Sequence, residues 1–344
     1  NSMLRYQLPI YPLLAVFAGW VLITLWDSAQ GGWELPLGSV RFSRIAARIA
    51  VFLLAGVVLV STLGWAYAFT RIYTRPHPRI KATRWIFQQI PGAVTLSIQT
   101  DSGSERQLLP YPSDKVIQVS EPWQTSFTSR VDGELTEILL PHIRNANQDD
   151  GTLSIRLELS ASQGGASRIL EKELSFQGGE TRGVFSLQEP LPLQKEEGYE
   201  LKISVGSPQS SLSLEGARIA NESTWDDGLP LRMEGYDPYG GIYPGGLNFE
   251  MYWDDNQEKL DRFLSTLDAA DYILISSSRQ WASTTRLPER YPLTTKYYRE
   301  LMGCPSQMSV EHCYNIAQPG QFQGNLGFEL RKTFQSNPTL GPFE

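Results

Sequence analysis

The sequence has few of the residues on which common catalytic sites depend. Its 344 residues include three histidines and two cysteines, and they contain no GxSxG, P-loop, HExxH or GxGxxG motif. A histidine-based triad therefore has few candidates, and the usual signatures of nucleotide binding and of zinc proteases are missing. A carboxylate pair that hydrolyses glycosides stays open, because the sequence does not fix how far apart two acidic side chains lie.

Positive charge is also scarce in most of the chain. The formal net charge is −7, and residues 1–78 carry six arginines against two acidic residues, so the +4 of this segment leaves −11 for the remainder. No run rich in lysine and arginine and interleaved with aromatics follows residue 90. Because nucleic-acid phosphates require a basic surface, this distribution argues against a nucleic-acid partner.

The two cysteines, Cys304 and Cys313, are nine residues apart. In an oxidising compartment they would close a small loop through a disulfide, and in a reducing one they would be free thiols. His312 stands beside Cys313, but two cysteines and one histidine lack the four-ligand spacing of a zinc site. The sequence therefore favours a disulfide or free thiols over a bound metal.

Two long segments carry no charge. Residues 49–70 are 22 uncharged residues, and at about 1.5 Å of rise per residue such a helix crosses a hydrocarbon core of roughly 30 Å. Residues 6–26 form a second run, for which a signal peptide is the alternative; the run lacks a small-residue cleavage site and is followed by another span. We therefore predict two transmembrane helices, 6–26 and 49–70, within a membrane region of residues 1–78. This makes the protein a multi-pass protein of the cell membrane, with the lipid bilayer as a partner.

The side of the membrane that holds the C-terminal part does not follow from the basic residues. Three arginines lie between residues 41 and 48, and five basic residues lie between residues 71 and 84. Counted simply, this positive-inside pattern favours a cytoplasmic C-terminal part. Long domains, however, translocate largely regardless of charge, so the residues alone leave the orientation open.

The remainder of the chain shows two patterns of secondary structure. Between residues 110 and 220, apolar and polar residues alternate in roughly eight short runs separated by turns, which is typical of a β-sandwich. The flanking segments mix helices and strands: a helix over 79–90, a strand over 93–99, a helix that starts near Asp255, a strand over 271–276, a helix from Pro292 to Gly303 and a strand over 327–334. We therefore predict a membrane α-helical hairpin followed by an α/β domain, formed by residues 79–100 and 221–344, with an inserted β-sandwich at residues 110–220; the side of the membrane is left to the resemblance described below.

The first candidate site is Asn221–Pro230. Its carboxylates, Glu222, Asp226 and Asp227, lie beside Trp225, which suits a carbohydrate, or a hard divalent cation such as Ca²⁺ or Mg²⁺ as a cofactor. The alternative is a turn in which aspartates cap backbone amides. Asn221 also begins an N-glycosylation sequon, a weak pattern by itself.

The second candidate site is the segment 234–246. Asp237 opens a strong turn signal, and Tyr236, Tyr239 and Tyr243 would line an aromatic wall. A loop that packs on its own domain explains the same residues. Asp237 and Tyr239 are the ligand candidates of this segment.

The third candidate site is the segment 276–298, which follows a predicted strand. Ligands of open α/β sheets lie outside the carboxyl ends of the strands. Arg279, Arg286 and Arg290 would bind phosphate or carboxylate there. Glu289 and Arg290 are also candidates for a purely structural ion pair.

Four pieces of the sequence are specific enough to compare with known proteins. They are NESTWDDGLPLRMEGYDPYGGIYPGG, RLPERYPLTTKYYREL, LGFELRKTFQSNPTLGP and the segment RPHPRIKATRWIFQQIPGA after the second span. The first three resemble the C-terminal part of YYY-type multi-pass membrane proteins, a poorly characterised family of Chloroflexus-like bacteria and archaea. The fourth is similar to the segment after the last span of lipid-linked-sugar glycosyltransferases of the dolichyl-phosphate-mannose type.

The resemblance implies the C-terminal piece of a glycosyltransferase-like membrane protein that uses a polyprenyl-phosphate-linked sugar. Its soluble part would lie outside the cytoplasm and position the glycan donor or acceptor. The catalytic acid of such enzymes lies upstream of the segment present here, so no catalytic residue carries over; Tyr297 and Tyr298 match only the double-tyrosine position. The alternative function is a non-catalytic cell-surface domain, on a membrane anchor, that binds glycan or protein. Both chain ends look cut, which agrees with a piece of a longer protein.

Overall fold

The computed structural model divides the chain into two units. It describes residues 10–30, 33–34, 41–42, 44–147, 150–162, 164, 167–208, 210–223 and 228–341. Residues 1–78 belong with residues 335–344 to one unit, and residues 79–334 form the other. The division after residue 78 coincides with the predicted end of the membrane region.

The N-terminal unit contains a helical hairpin. Its elements are α1 (Ile10–Ser28), β1 (Trp33–Glu34), β2 (Arg41–Phe42), α2 (Arg44–Thr70) and a 3₁₀ turn (Arg71–Thr74). Strands β1 and β2 pair antiparallel, and Leu25 and Ala29 pack with Ala47 and Val51 where the two helices meet. Both helices are long and apolar enough to cross a membrane by length and composition, and almost none of their most apolar stretches is buried. They are therefore candidate membrane spans, as the uncharged runs predict.

The second unit is built mainly of two antiparallel sheets. The five-stranded sheet contains β3 (Val94–Thr100), β4 (Gly103–Leu109), β6 (Gly133–Asn145), β9 (Glu180–Leu193) and β11 (Leu212–Glu215). The four-stranded sheet contains β5 (Trp123–Thr128), β10 (Gly198–Val205), β7 (Gly151–Ala161) and β8 (Ser167–Phe176), in that order. The long strand β6 is central, because it pairs with β3 and β11 along one edge and with β9 along the other.

The alternation of apolar residues explains why these strands form a sandwich. In β10, Tyr199, Leu201, Ile203 and Val205 are buried, and the residues between them are partly exposed. Side chains of a strand point to opposite faces in turn, so one face of each sheet is apolar. Buried residues of both sheets belong to one hydrophobic core, and its formation fixes the register of the strands.

Helices and a short parallel strand pair complete the unit. They are α3 (Pro78–Gln89), β12 (Ile219–Asn221), α4 (Gln257–Ala269), β13 (Tyr272–Leu274), α5 (Ser278–Ser283), α6 (Pro292–Met302) and α7 (Val310–Ile316). The helix ends follow the sequence signals: Asn256 caps α4, and Gly303 ends α6 with a left-handed φ of 76°. A disulfide bond joins Cys304, just after α6, to Cys313 in α7, which is one of the two states that the sequence left open.

The structure corrects two parts of the predicted fold. The strand predicted at residues 93–99 exists, but β3 belongs to the five-stranded sheet of the sandwich and not to a separate α/β domain of residues 79–100. Its residues alternate toward the sandwich core, a register that sequence periodicity cannot assign to one sheet or another. The predicted strand at residues 327–334 is absent, because no residue of that segment pairs into a sheet. The sandwich therefore begins at Val94, before the predicted start at residue 110.

Candidate functional site

The first candidate segment leaves the sheet at the carboxyl edge of the parallel strand pair. Asn221, the last residue of β12, lies opposite Leu274, the last residue of β13. Asn221 also forms a parallel bridge with Asn248 on its other side. Three chain segments therefore leave this edge side by side, at residues 222, 249 and 275. Such an edge is where small parallel sheets place their ligands.

The side chain of Asn221 closes the base of the loop 222–228. Its Oδ1 accepts a hydrogen bond from the Leu229 amide at 3.0 Å, and its Nδ2 donates to the Leu229 carbonyl at 3.2 Å. Nδ2 also lies 2.9 Å from the hydroxyl of Tyr239, which donates in turn to the Leu229 carbonyl. We call Asn221, Leu229 and Tyr239 the loop neck. Its hydrogen bonds hold the two ends of the loop together without any β-ladder.

Helix α3 holds the C-terminal side of the same loop. The hydroxyl of Thr83, which is fully buried, accepts a hydrogen bond from the Leu231 amide at 3.0 Å. Arg79 donates to the Gly228 carbonyl at 3.4 Å. Both ends of the loop are thus fixed by buried or half-buried polar contacts.

Glu222 points into the domain and not out of the loop. Its side chain is 1% exposed and accepts a hydrogen bond from the hydroxyl of Tyr298. The hydroxyl of Tyr314 donates to the carbonyl of Tyr298 at 2.8 Å. Burial, and then the charge of Glu222, raises the pKa of Tyr298 and Tyr314 well above the usual value. Both tyrosines therefore stay protonated, and Tyr298 acts as a donor that compensates the buried carboxylate.

The predicted aromatic wall does not form, because two of its three tyrosines are internal. Tyr236 and Tyr243 are 7% and 2% exposed, and Tyr243 donates to the Ile90 carbonyl at 3.0 Å. Tyr239 is different: 40% of the residue is exposed, although its hydroxyl is fixed in the neck. Burial raises the pKa of this hydroxyl, and the hydrogen bond from Asn221 opposes that effect. One aromatic ring at the loop base is therefore accessible. Trp225, Asp226 and Asp227 lie outside the described residues.

The three arginines that were predicted to bind an anion have different contacts and share no partner among the described residues. Arg286 forms a bidentate ion pair with Glu311, with contacts of 2.9–3.1 Å. The guanidinium of Arg290 lies 5.2 Å from the ring of its neighbour Tyr291, and the described contacts include no ion pair between Arg290 and the exposed Glu289. Arg279 lies in the first turn of α5, where its amide bonds to the N-cap hydroxyl of Ser277. No contact in the described chain unites these arginines in one anion site.

Asp237 lies in another cleft. Its carboxylate pairs with Arg232, and it opens the turn at Pro238–Ile242. The cleft is lined by residues of the sandwich and of the segment 234–242, and by none of the loop-neck residues. The two ligand candidates of the second segment therefore lie apart: Tyr239 belongs to the loop neck, and Asp237 lines the cleft.

Two buried charged groups were not predicted as a site. Lys259 is completely buried, and its ammonium contacts Asp255 at 2.9 Å, Thr294 Oγ1 at 2.7 Å and the carbonyls of Met251 and Trp253. Burial lowers the pKa of Lys259, and the Asp255 carboxylate opposes this shift. All ammonium protons have acceptors, so this pair is structural. Asp255 precedes the N-cap of α4 and Lys259 lies in its first turn, so the pairing rule for residues four apart on a helix did not reveal the pair.

A histidine cluster joins the sandwich to the parallel strand pair. His142 on β6 contacts Glu180 at 2.5 Å through Nδ1 and Asp271 at 2.8 Å through Nε2. Arg218 donates to Glu180 at 2.7 Å through its guanidinium and to Asp271 at 2.6 Å through its amide. The four residues are far apart in sequence, so no spacing could have predicted the cluster.

The Asn221 sequon and the possible metal site are also clarified by these contacts. Asn221 is 8% exposed and its amide is fully engaged in the neck, so it does not fit a glycosylation acceptor. Among the described residues, no group of three or more His, Cys, Asp or Glu side chains could hold a metal ion. Because Asp226 and Asp227 lie outside those residues, the divalent cation stays a prediction.

Comparison with known proteins does not assign the chain to a family. No protein-family model matches the chain, and no curated protein matches it. A carbohydrate-binding module from the family 9 glycoside hydrolase Cel9A of Ruminococcus flavefaciens FD-1 is similar at 15% identity and a TM-score of 0.24, over 35% of this chain and 98% of that one. Eiger TNF from S. frugiperda is similar at 14% identity and a TM-score of 0.17, over 41% of this chain and 99% of that one. Similarities this weak carry no argument about ligand or activity.

Proposed function

We propose that this chain is a membrane-anchored module that binds a glycan at the loop 222–228. The observation that carries the proposal is the loop neck. Asn221 and Tyr239 fix the base of a loop whose sequence contains Trp225, Asp226 and Asp227. Loops on a folded scaffold are common binding sites, and fixing the ends of a loop lowers the entropic cost of binding.

The chemistry of the loop suits a polyhydroxylated ligand. Carboxylates accept hydrogen bonds from hydroxyl groups, and an aromatic ring covers the apolar face of a sugar ring. The exposed ring of Tyr239 supplies such a face at the loop base. The buried Glu222 supports the loop from inside, since its carboxylate is hydrogen-bonded to the buried Tyr298.

We also propose that residues 79–344 lie outside the cytoplasm, anchored by α1 and α2. The disulfide between Cys304 and Cys313 supports this side, because disulfides persist in oxidising compartments. Protease added to intact cells should degrade this part of the chain while leaving the two candidate spans protected. Protection of residues 79–344 in intact cells, with degradation only after permeabilisation, would place them in the cytoplasm.

A glycan array probed with the full chain in detergent tests the binding proposal. Asp226→Asn with Asp227→Asn should abolish binding to the best glycan, and Tyr239→Ala should weaken it by roughly tenfold, from the loss of one ring contact. Tyr73→Ala is the matched control, because Tyr73 is an exposed tyrosine of the other unit. If the double variant and Tyr239→Ala both bind the glycan as tightly as the wild type and the control do, the loop is not the binding site. The absence of any glycan binding by the wild type would also refute the proposal.

The second candidate function is that of a glycosyltransferase-like protein acting on a polyprenyl-phosphate-linked sugar. The two candidate membrane spans favour it, because a lipid-linked donor is held in a bilayer. The loop would then position the donor or the acceptor, while catalysis would depend on residues outside this segment. Transfer assays on the longer protein with Asp226→Asn and Asp227→Asn test it: slower transfer is expected, and unchanged transfer would exclude the loop from the mechanism.

A further inference from the structure

A separate cleft lies at one end of the β-sandwich. It has a volume of about 670 Å³ and is bounded by the ends of β4 and β5, the turn between β9 and β10, and the segment 234–242. None of the loop-neck residues lines it. A cavity of this size accommodates a small molecule, and the proposed glycan site does not account for it.

The inner lining of the cleft is apolar and rigid. It includes Leu108, Phe127, Tyr236 and Ile242, each no more than 8% exposed. The hydroxyl of Tyr236 accepts a hydrogen bond from the Leu108 amide at 3.2 Å. The Tyr236 ring also packs on Phe87, with 4.7 Å between the ring centroids. The cleft is therefore preformed, which lowers the cost of binding a ligand.

Two cations, Arg130 and Lys195, line the cleft. The guanidinium carbon of Arg130 lies 3.5 Å from the Tyr236 ring centroid, and its Nη1 donates to the Glu234 carbonyl at 2.9 Å. In the described parts of the chain, neither Arg130 nor the exposed Lys195 forms an ion pair with a carboxylate. A half-buried guanidinium that keeps further N–H groups available is a ready anchor for an anion.

The carboxylates around the cleft are mostly compensated. Glu234 pairs with Arg84 at 2.6 Å, and Asp237 pairs with Arg232. Glu196 is the remaining lining carboxylate, and it is exposed. Among the lining residues, one uncompensated carboxylate therefore opposes Arg130 and Lys195, which favours an anion. The Asp132 carboxylate, outside the lining, accepts a hydrogen bond from the Lys195 amide at 2.9 Å.

The backbone of the cleft supports a binding role. Glu196 and Glu234 have left-handed φ values of 68° and 54°. The described chain contains three such non-glycine residues, and these two line the cleft. Non-glycine residues adopt this conformation at a cost, and they concentrate at ligand sites. This observation is independent of the charges.

We propose that the cleft binds a small ligand that carries a carboxylate or a phosphate next to an apolar or sugar ring. Arg130 and Lys195 bind the anionic group, and the ring lies against the apolar lining. The ligand class differs from that of the loop site, because here the positive charge selects for an anion.

Calorimetry of the full chain in detergent tests this with three probes that share one ring: glucuronate, glucose 6-phosphate and methyl glucoside. We expect one of the two anionic probes to bind at least roughly tenfold more tightly than the neutral one, since a charge-assisted hydrogen bond contributes at least this much. The better probe identifies carboxylate or phosphate as the group. Equal binding of all three probes, or no binding, would overturn the proposal.

Variants then locate the site. Lys195→Gln should weaken the anionic probe about fivefold and Arg130→Gln more than tenfold, whereas Arg182→Gln, an exposed arginine outside the cleft, should have no effect. If Arg130→Gln unfolds the protein, Lys195→Gln decides alone, because the Lys195 side chain is exposed. Equal affinities of the Lys195→Gln and Arg182→Gln variants would refute the assignment.

Discussion

The histidine cluster predicts a pH-dependent link between the sandwich and the strand pair that leads to the loop. His142 contacts a carboxylate with each ring nitrogen, so both nitrogens donate only when the ring is protonated. The hydrogen bond to Asp271, more than the contact with Glu180, raises the pKa of His142 although burial opposes it. Replacing the imidazolium with a neutral side chain leaves Glu180 paired with Arg218 and Arg144, and leaves Asp271 with the backbone amide of Arg218.

The pKa of Glu180 gives the size of the effect. Burial alone would raise this pKa, but hydrogen bonds from Arg218 and His142 outweigh it and lower the pKa from 4.5 to about 2. At about 1.4 kcal/mol per pH unit, this lowering of the pKa corresponds to at most about 3.5 kcal/mol of stability. Because 33% of the Glu180 side chain is exposed, screening reduces the contribution to about 1–2 kcal/mol. His142 supplies only part of it, so His142→Gln should cost about 1 kcal/mol.

The sign of the pH dependence follows from the two kinds of shift. The pKa of Glu180 is lowered, so its contribution is present above pH 4.5 and is lost as the pH falls toward 2. The pKa of His142 is raised, so its contribution is complete below pH 6.5 and is lost as the pH rises through the raised value. The cluster therefore stabilises the fold most between pH 4.5 and 6.5.

Urea unfolding of the full chain in detergent, followed by tryptophan fluorescence, measures the effect. His142→Gln should be less stable than the wild type at about pH 5.5, and the two should converge near about pH 10, where the wild-type ring is neutral. His312→Gln, at an exposed histidine of the same unit, is the control and should match the wild type at both values. A His142→Gln deficit that is the same at both pH values would refute the protonated bridge.

Two further substitutions test contacts at the start of α4 and at the end of α6. Lys259→Met should lower the free energy of unfolding by about 3 kcal/mol, because it leaves the carboxylate of Asp255 buried without its cation; a loss below about 1 kcal/mol in urea titration would contradict the structural role. Gly303→Ala should destabilise the protein more than Gly320→Ala. The two glycines have similar left-handed φ values, 76° and 78°. A Cβ at Gly303 would lie 2.0 Å from a backbone carbonyl oxygen, whereas a Cβ at Gly320 would meet nothing within 4 Å. Equal melting temperatures of the two alanine variants would show that the close approach is absent.

Local sequence signals predicted most of the secondary structure. The alternation in β10 and the apolar spacing of α3 follow from the two side-chain periods, and Gly303 ends α6 as its left-handed conformation requires. Sheet membership did not follow from periodicity. The strand β3 alternates as expected, yet only its pairing with β6 shows that it belongs to the sandwich.

The contacts that hold the first candidate segment in place were not predicted from the sequence. The segment 221–230 was chosen for its carboxylates, and Asn221 within it was noted only as a sequon. The structure uses Asn221 to close the loop base through Leu229 and Tyr239. That role depends on a residue 18 positions away, and such contacts arise from tertiary packing and not from local pattern. The same holds for Glu222, whose donor Tyr298 comes from another helix.

Hydrogen–deuterium exchange of the full chain in detergent, with and without the best glycan from the array, tests the central claim most directly. The account predicts that the glycan slows exchange in peptides covering residues 221–231 and leaves peptides of the sandwich edge β8 unchanged. A glycan that binds but protects only residues outside 221–239 would contradict the account, because the loop would then not be the binding site.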